Sequence, residues 1–183
     1  MPTVISHSLV GVVFGKIFSR RAGIKFWILS IVCAVLPDLD AFLRYFGVPD
    51  EHMFAHRGFF HSMIFTLMIA FFIVLAGFRE IKHFSKERWS IVACFFLIGL
   101  SHGILDAMTT GGSGVGFFMP FDSARYFLPV RPIRVSPFSL MRFFESEGKR
   151  ILVSELFWIW IPSVITLIIL KLAYDRRYSK KIS

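Results

Sequence analysis

The stretch WSIVACFFLIGLSHGILDAM, residues 89–108, decides how this chain is read. It is apolar over the length of a membrane-spanning helix, about 20 residues. Yet it carries His102 and Asp106 near its end. Ionisable groups inside a membrane span are costly unless paired, metal-bound or wet, so by default they mark a functional site. On a helix, side chains four apart share one face, with Cβ atoms about 6 Å apart. That spacing suits a grip on one cation.

The rest of the composition agrees with a membrane protein. Of 183 residues 55% are hydrophobic, Phe alone numbers 23, and the mean hydropathy is +0.65. A soluble domain is typically about 45–50% apolar, and here the excess is gathered into runs. The formal net charge of +9 would suggest nucleic acid in a soluble protein. The basic residues instead cluster at the ends of apolar runs, so membrane orientation explains them and no nucleic-acid partner is expected. Cys33 and Cys94 lie inside apolar runs, lack zinc-type spacing and read as small buried residues.

Working outward, Val4 to Phe18 is apolar but spans only about 22 Å as a helix, short of a hydrocarbon core of about 30 Å. Ser19-Arg20-Arg21-Ala22-Gly23 ends it. Ile24 to Leu36 is also short, and Pro37 is expected to close it. Residues 41 to 60 read as a loop or short helix outside the membrane. Phe59 to Phe78 is long enough to span, and Arg79, Lys82, Lys86 and Arg88 follow as a basic connector. Residues 109–150 form the one long polar region, with Gly-Gly-Ser-Gly-Val-Gly at 111–116 read as a flexible cover. Ile151 to Ala173 is the last span, with a kink expected at Pro162, and Arg176, Arg177, Lys180 and Lys181 make a basic tail. The fold class is therefore all-α: a single polytopic membrane domain over 1–183, with about five membrane-embedded helices, the first two short, and a polar loop region.

Lys and Arg crowd the 19–25 loop, the 79–88 loop and the tail, while the other side is nearly charge-balanced. The positive-inside rule then places the N-terminus, the 37–60 loop and the 109–150 loop outside the cytoplasm. His7, Asp38, Asp40, His56, His61, His102 and Asp106 all fall on that outer side. Asp38 and Asp40 follow Pro37; in an extended segment their side chains would point the same way and repel unless a cation or proton lay between them. His56 and His61, five apart, suit one ligand from a loop and one from the start of a helix. Together these imidazoles and carboxylates imply a metal site, with Zn²⁺ fitting best and Mn²⁺ or Fe²⁺ as alternatives. One ion with supporting groups and two ions are both compatible with so many ligands. Arg57, Arg125, Arg131 and Arg134 are candidates for holding a phosphate. His52, beside Asp50 and Glu51, and His83, on the other side, are left out.

Four motifs occur in order: a His in the first helix, Pro-Asp-x-Asp at 37–40, His-Arg-Gly-x-x-His-Ser at 56–62 and His-x-x-x-Asp at 102–106. With Pro120-Phe121 they resemble the YdjM-like family, multi-pass inner-membrane proteins of bacteria and archaea described as predicted metal-dependent hydrolases. The resemblance runs to about residue 122. More distantly the pattern is similar to the zinc-dependent phospholipase C and nuclease superfamily, helical phosphoester hydrolases. That likeness implies His7, Asp40 (or Asp38), His56 or His61, His102 and Asp106 as metal ligands, and Asp38 or Asp40 as general base. The superfamily's later His and His-x-x-x-Glu are missing here, so one or two metals are expected rather than three. The expectation is a membrane-embedded hydrolase that cleaves a lipid phosphoester with metal-activated water at the extracytoplasmic face, Arg57 helping to orient the phosphate. The alternatives are a transporter or ion-handling protein, and a scaffold with a structural metal.

Overall fold

The structure, a computed structural model, describes residues 1–18, 23–137, 141 and 143–179. Arg20 and Arg21 of the first basic loop, Arg142, and Lys180 and Lys181 of the tail lie outside the described residues. The chain is all-helical, with no strand among the described residues. Helix α1 (Val4–Phe18) and α2 (Ile24–Val35) form a hairpin, followed by a 3₁₀ segment over Leu36–Phe46. A 3₁₀ turn, Phe59–His61, leads into α3 (Met63–Gly77), and α4 (Lys86–Ala107) returns. The last helix runs from Phe143 through α5 (Gly148–Glu155) and α6 (Ile161–Ser179), with π-helical turns at Phe143–Glu147 and Leu156–Trp160.

Three of these helical stretches are long and apolar enough to cross a membrane: Ile24–Phe46, Lys86–Ala107 and Gly148–Arg176. Three expectations about length change. Pro37 does not end the second helix. It sits in the first turn of the 3₁₀ segment, where its missing N–H costs no bond, and helical backbone continues to Phe46, capped by Gly47 at φ 78°. The third run is shorter than its apolar length suggested, because Phe59–His61 is a separate turn and Ser62 caps α3 by accepting the Phe65 N–H at 3.2 Å. The last helix begins before residue 148, earlier than the expected 151. The irregularity foreseen at Pro162 takes the form of the π-helical turn just ahead of it, the usual way a helix absorbs a lost backbone bond.

The core lies where α2, α3 and α4 meet, around Phe26, Cys33, Ala34, Val74, Phe95 and Ile98, all buried. Both cysteines are free and buried, as small apolar packing residues. Helix α1 closes against α2 through Gly11: a Cβ there would stand 2.9 Å from Ala34 Cβ, so only glycine allows this approach. That contact sets the start of α1 beside the end of α2. The C-terminal end of α4 and the 3₁₀ turn before α3 reach the same end of the bundle, and residues 109–136 pack over them. Val115, Met119 and Ile133 of that region are fully buried. The glycine-rich stretch is therefore a packed cover and not a loose one.

Candidate metal centre

His102 and Asp106 lie one above the other on α4, and both are fully buried. His61 comes from the turn before α3, and Asp38 from the 3₁₀ segment after α2. One ligand atom from each of Asp38, His61, His102 and Asp106 falls within 4.8 Å of the others. His102 Nε2 stands 3.1 Å from His61 Nε2 and 3.4 Å from Asp38 Oδ1, and His61 Nε2 is 3.5 Å from Asp106 Oδ2.

The outward-facing nitrogens explain why those two Nε2 atoms can serve as ligands. His102 Nδ1 donates to the Ala34 carbonyl at 2.8 Å, which leaves Nε2 with a bare lone pair. His61 Nδ1 faces the Asp40 carboxylate, 3.0 Å from Oδ2, which turns its Nε2 toward the cluster. Two lone pairs and two carboxylates thus converge on one point. A carboxylate or carbonyl behind each ligating imidazole is the arrangement that orients metal-binding histidines.

The residues fit a cation on a second count. Both oxygens of Asp38 and of Asp106 are buried without a hydrogen-bond partner. Buried carboxylates are strongly disfavoured unless a positive charge compensates them. Among the described residues Arg57 is the only guanidinium in the cluster, its Nε 3.0 Å from Asp106 Oδ2. Against the carboxylates of Asp38, Asp40 and Asp106 it leaves an excess of negative charge, which a bound cation would reduce.

Asp38 and Asp40 do not share one ion in the way the extended reading proposed. On a 3₁₀ helix, with three residues per turn, positions two apart diverge. Asp38 turns to His102 and His61. Asp40 turns to the other side, where His56 Nδ1 lies 2.6 Å from Oδ1 and the Arg57 backbone N–H donates to Oδ2 at 3.2 Å. Asp40, His56 and His61 form a second group with metal-ligand spacing that shares His61 with the first. Burial lowers the pKa of His56, with the Asp40 carboxylate pulling the other way. His7 is buried one turn into α1, its ring stacked on His102 at 3.8 Å and its Nε2 3.7 Å from Asp106 Oδ1.

The arginines separate into two kinds. Arg57 is 1% exposed and adopts φ 67°, a left-handed conformation uncommon outside glycine. That backbone aims its side chain inward, to Asp106, the Thr109 hydroxyl at 3.0 Å and the Gly111 carbonyl at 2.8 Å. Each guanidinium nitrogen of Arg57 thus meets an acceptor inside the protein, so what is seen of it is a tether for Asp106 and the cover, while the expected role of orienting a phosphate is not seen in these contacts. Gly112, at φ 95°, lies against that guanidinium, and a Cβ would collide with it. Arg125 donates to the carbonyls of His56 at 3.0 Å and His52 at 3.2 Å, fastening the cover to the 3₁₀ side. Burial lowers its pKa, opposed by Asp40 and Asp50. Arg131 is exposed and stacks on the Phe127 ring at 4.7 Å, and Arg134 is exposed, its backbone N–H bound to Ser154. Neither touches the cluster. His52 and His83 are exposed and stand apart from it.

Three participants escaped sequence reasoning. Thr109, fully buried, links Arg57 to the end of α4 by donating to the Asp106 carbonyl at 2.7 Å. Arg44 rims two cavities beside the cluster. Glu155, fully buried in the last helix, accepts the Thr3 N–H and the Thr3 and Ser6 hydroxyls, each at 2.6 Å. It caps α1 from another helix and so fixes the turn that carries His7. The rule that exposed His102 and Asp106, an ionisable group within an apolar run, applied equally to Glu155.

Comparison with known proteins agrees with the motifs. A family model described as YdjM inner membrane protein matches residues 1–176. The chain belongs to the YdjM inner membrane protein family. An Escherichia coli (strain K12) protein named inner membrane protein YbcI is similar to it, 35% identical over 172 residues, which cover 90% of this chain and 94% of the relative. No solved structure matches. This member of the family is accordingly a multi-pass protein of the inner membrane, with a buried Asp/His cluster that could bind a metal ion.

Proposed function

We propose that the protein is a metal-dependent hydrolase of a lipid phosphoester, working at the extracytoplasmic face of the inner membrane. The observation that carries this reading is the convergence of Asp38, His61, His102 and Asp106 at one buried point. Two imidazoles and two carboxylates suit Zn²⁺ best, with Mn²⁺ or Fe²⁺ as the alternatives. Bound there, a divalent cation supplies Lewis-acid chemistry, stabilising charge on a phosphoryl oxygen and acidifying water.

The protein's own groups supply the rest. Asp40 orients His61 and ties it to His56 and the Arg57 backbone. Arg57 compensates the charge of Asp106. Asp38 is the least buried member of the cluster, 9% exposed, and with Oδ1 turned to the two imidazoles its second oxygen is left over. It is placed to take the proton of an attacking water and return it to the departing alkoxide. The sidedness rests on the charge of the loops: the basic 79–88 connector lies at the end of the bundle away from the cluster.

A second reading has support from the same cluster. Its residues could close a four-ligand site, as structural zinc sites are closed. The test that separates the two is hydrolysis of a phospholipid panel by purified protein in nanodiscs. Turnover abolished by a chelator and restored by Zn²⁺ or Mn²⁺ is the expected result. Stoichiometric metal with no turnover of any phosphoester would support the structural reading.

A further inference from the structure

Two cavities approach the cluster from different sides, and Arg44 lines both. The first is an apolar groove of about 580 Å³, with Val4, Val35, Leu39, Ala41, Phe42 and Tyr45 along it and Asp38 in its lining. The second is a polar cleft of about 230 Å³ bounded by Arg44, Asp50, His56, Arg57, Gly112 and Ser113. We infer that the groove seats a hydrocarbon chain of a membrane phospholipid, with its phosphate held at Arg44, where the two cavities meet, and its headgroup directed into the polar cleft. This deepens the hydrolase reading and rests on it for the fate of the bound lipid.

The surroundings of the groove argue for a lipid occupant. It is cut into Ile24–Phe46, a stretch apolar and long enough to lie in the bilayer, so its open side faces acyl chains. Its lips are bare hydrophobics: Val4 is 52% exposed, Leu39 60% and Tyr45 81%. Its size falls within the usual range of small-molecule pockets, roughly 300–1,000 Å³. Charge complementarity points to a phosphate. Arg44 now makes a two-pronged contact with Asp50, both Nη2–oxygen distances 2.8 Å, and this pair is more than half exposed. Exposed pairs are weak, and where Asp50 takes only Nη2, a phosphate can take two of the guanidinium's N–H donors in parallel, so Arg44 can exchange one for the other.

The experiment uses the full-length protein in nanodiscs of phosphatidylethanolamine and phosphatidylglycerol. A trace of phosphatidylglycerol carrying a diazirine on its acyl chain is photolysed, and labelled peptides are mapped by mass spectrometry. Labelling should concentrate on residues 35–45 over the lipid-facing surface of α6. Ala41→Trp, which fills the groove away from the cluster, should reduce groove labelling about tenfold, the scale on which an apolar pocket discriminates. Its metal content should stay at the wild-type value, which establishes that the variant is folded. Arg44→Ala should remove the preference for the labelled phospholipid over a diacylglycerol carrying the same diazirine. Labelling spread evenly over the lipid-facing helices, or unchanged in the folded Ala41→Trp variant, overturns the inference. Because labelling needs no turnover, groove labelling without hydrolysis would leave the lipid seat standing and refute only the hydrolase reading.

Discussion

Two arginines are buried at opposite ends of this bundle, and their partners differ. Arg88, 6% exposed at the start of α4, donates through its guanidinium to the carbonyls of Phe78 and Ile81. It meets no carboxylate among the described residues. Arg57, 1% exposed at the other end, meets Asp106 and, through its backbone N–H, Asp40. Arg88 closes the turn between α3 and α4 by satisfying backbone acceptors. Arg57 compensates a carboxylate that imidazoles also face. A buried guanidinium on carbonyls is thus a structural clasp, while one on a shared carboxylate is part of the charge balance of a site. In sequence both looked different: Arg88 read as one more basic residue of a loop, and Arg57 as a hand for phosphate.

That contrast can be broken by mutation, and the largest effect is expected at Arg57. Arg57→Met leaves Asp106 buried beside fewer positive charges and should destabilise the protein by about 3–5 kcal/mol, the usual cost of orphaning a buried charge. Thermal unfolding in detergent checks this, and a loss below about 1 kcal/mol would show that Asp106 does not need the guanidinium. Next comes Asp40→Asn, which removes the negative charge behind His61. Metal affinity, measured by competition with a chelator, should fall about 10–100-fold. An unchanged affinity would mean that His61 is held by something else.

Arg88→Met should cost about 1–3 kcal/mol for the Ile81 carbonyl left without its donor, with metal content untouched. Metal loss in this variant would join the two ends that the comparison separates. Arg44→Ala is the smallest case: an exposed pair with Asp50 contributes about 0–1 kcal/mol, so the unfolding temperature should barely move. A large shift would make Arg44 a structural residue.

The fold was legible where the physics is local. Apolar runs and their basic ends located the helices, because hydrophobic length and charge act on the chain directly. His102 and Asp106 were legible because a four-residue spacing on a helix is unambiguous. The geometry at 37–40 was not, since proline is compatible with either a stop or the first turn of a 3₁₀ segment, and the two place Asp40 on different sides. Thr109 and Glu155 were hidden for another reason. Their roles depend on partners 52 and 152 residues away, Arg57 and Thr3, and no local pattern records such a pairing. Arg57 itself acquires its role from the glycine-rich cover, whose close packing the composition alone read as looseness.

The central claim is that one buried point, shared by Asp38, His61, His102 and Asp106, holds a metal ion. Elemental analysis of the purified wild-type protein beside the His102→Ala/Asp106→Ala variant tests it most directly. The account predicts a stoichiometric divalent transition metal in the wild type and its loss from a folded double variant. Metal content that is the same in both proteins, or wild-type protein that binds none on titration with Zn²⁺, Mn²⁺ or Fe²⁺, would contradict it.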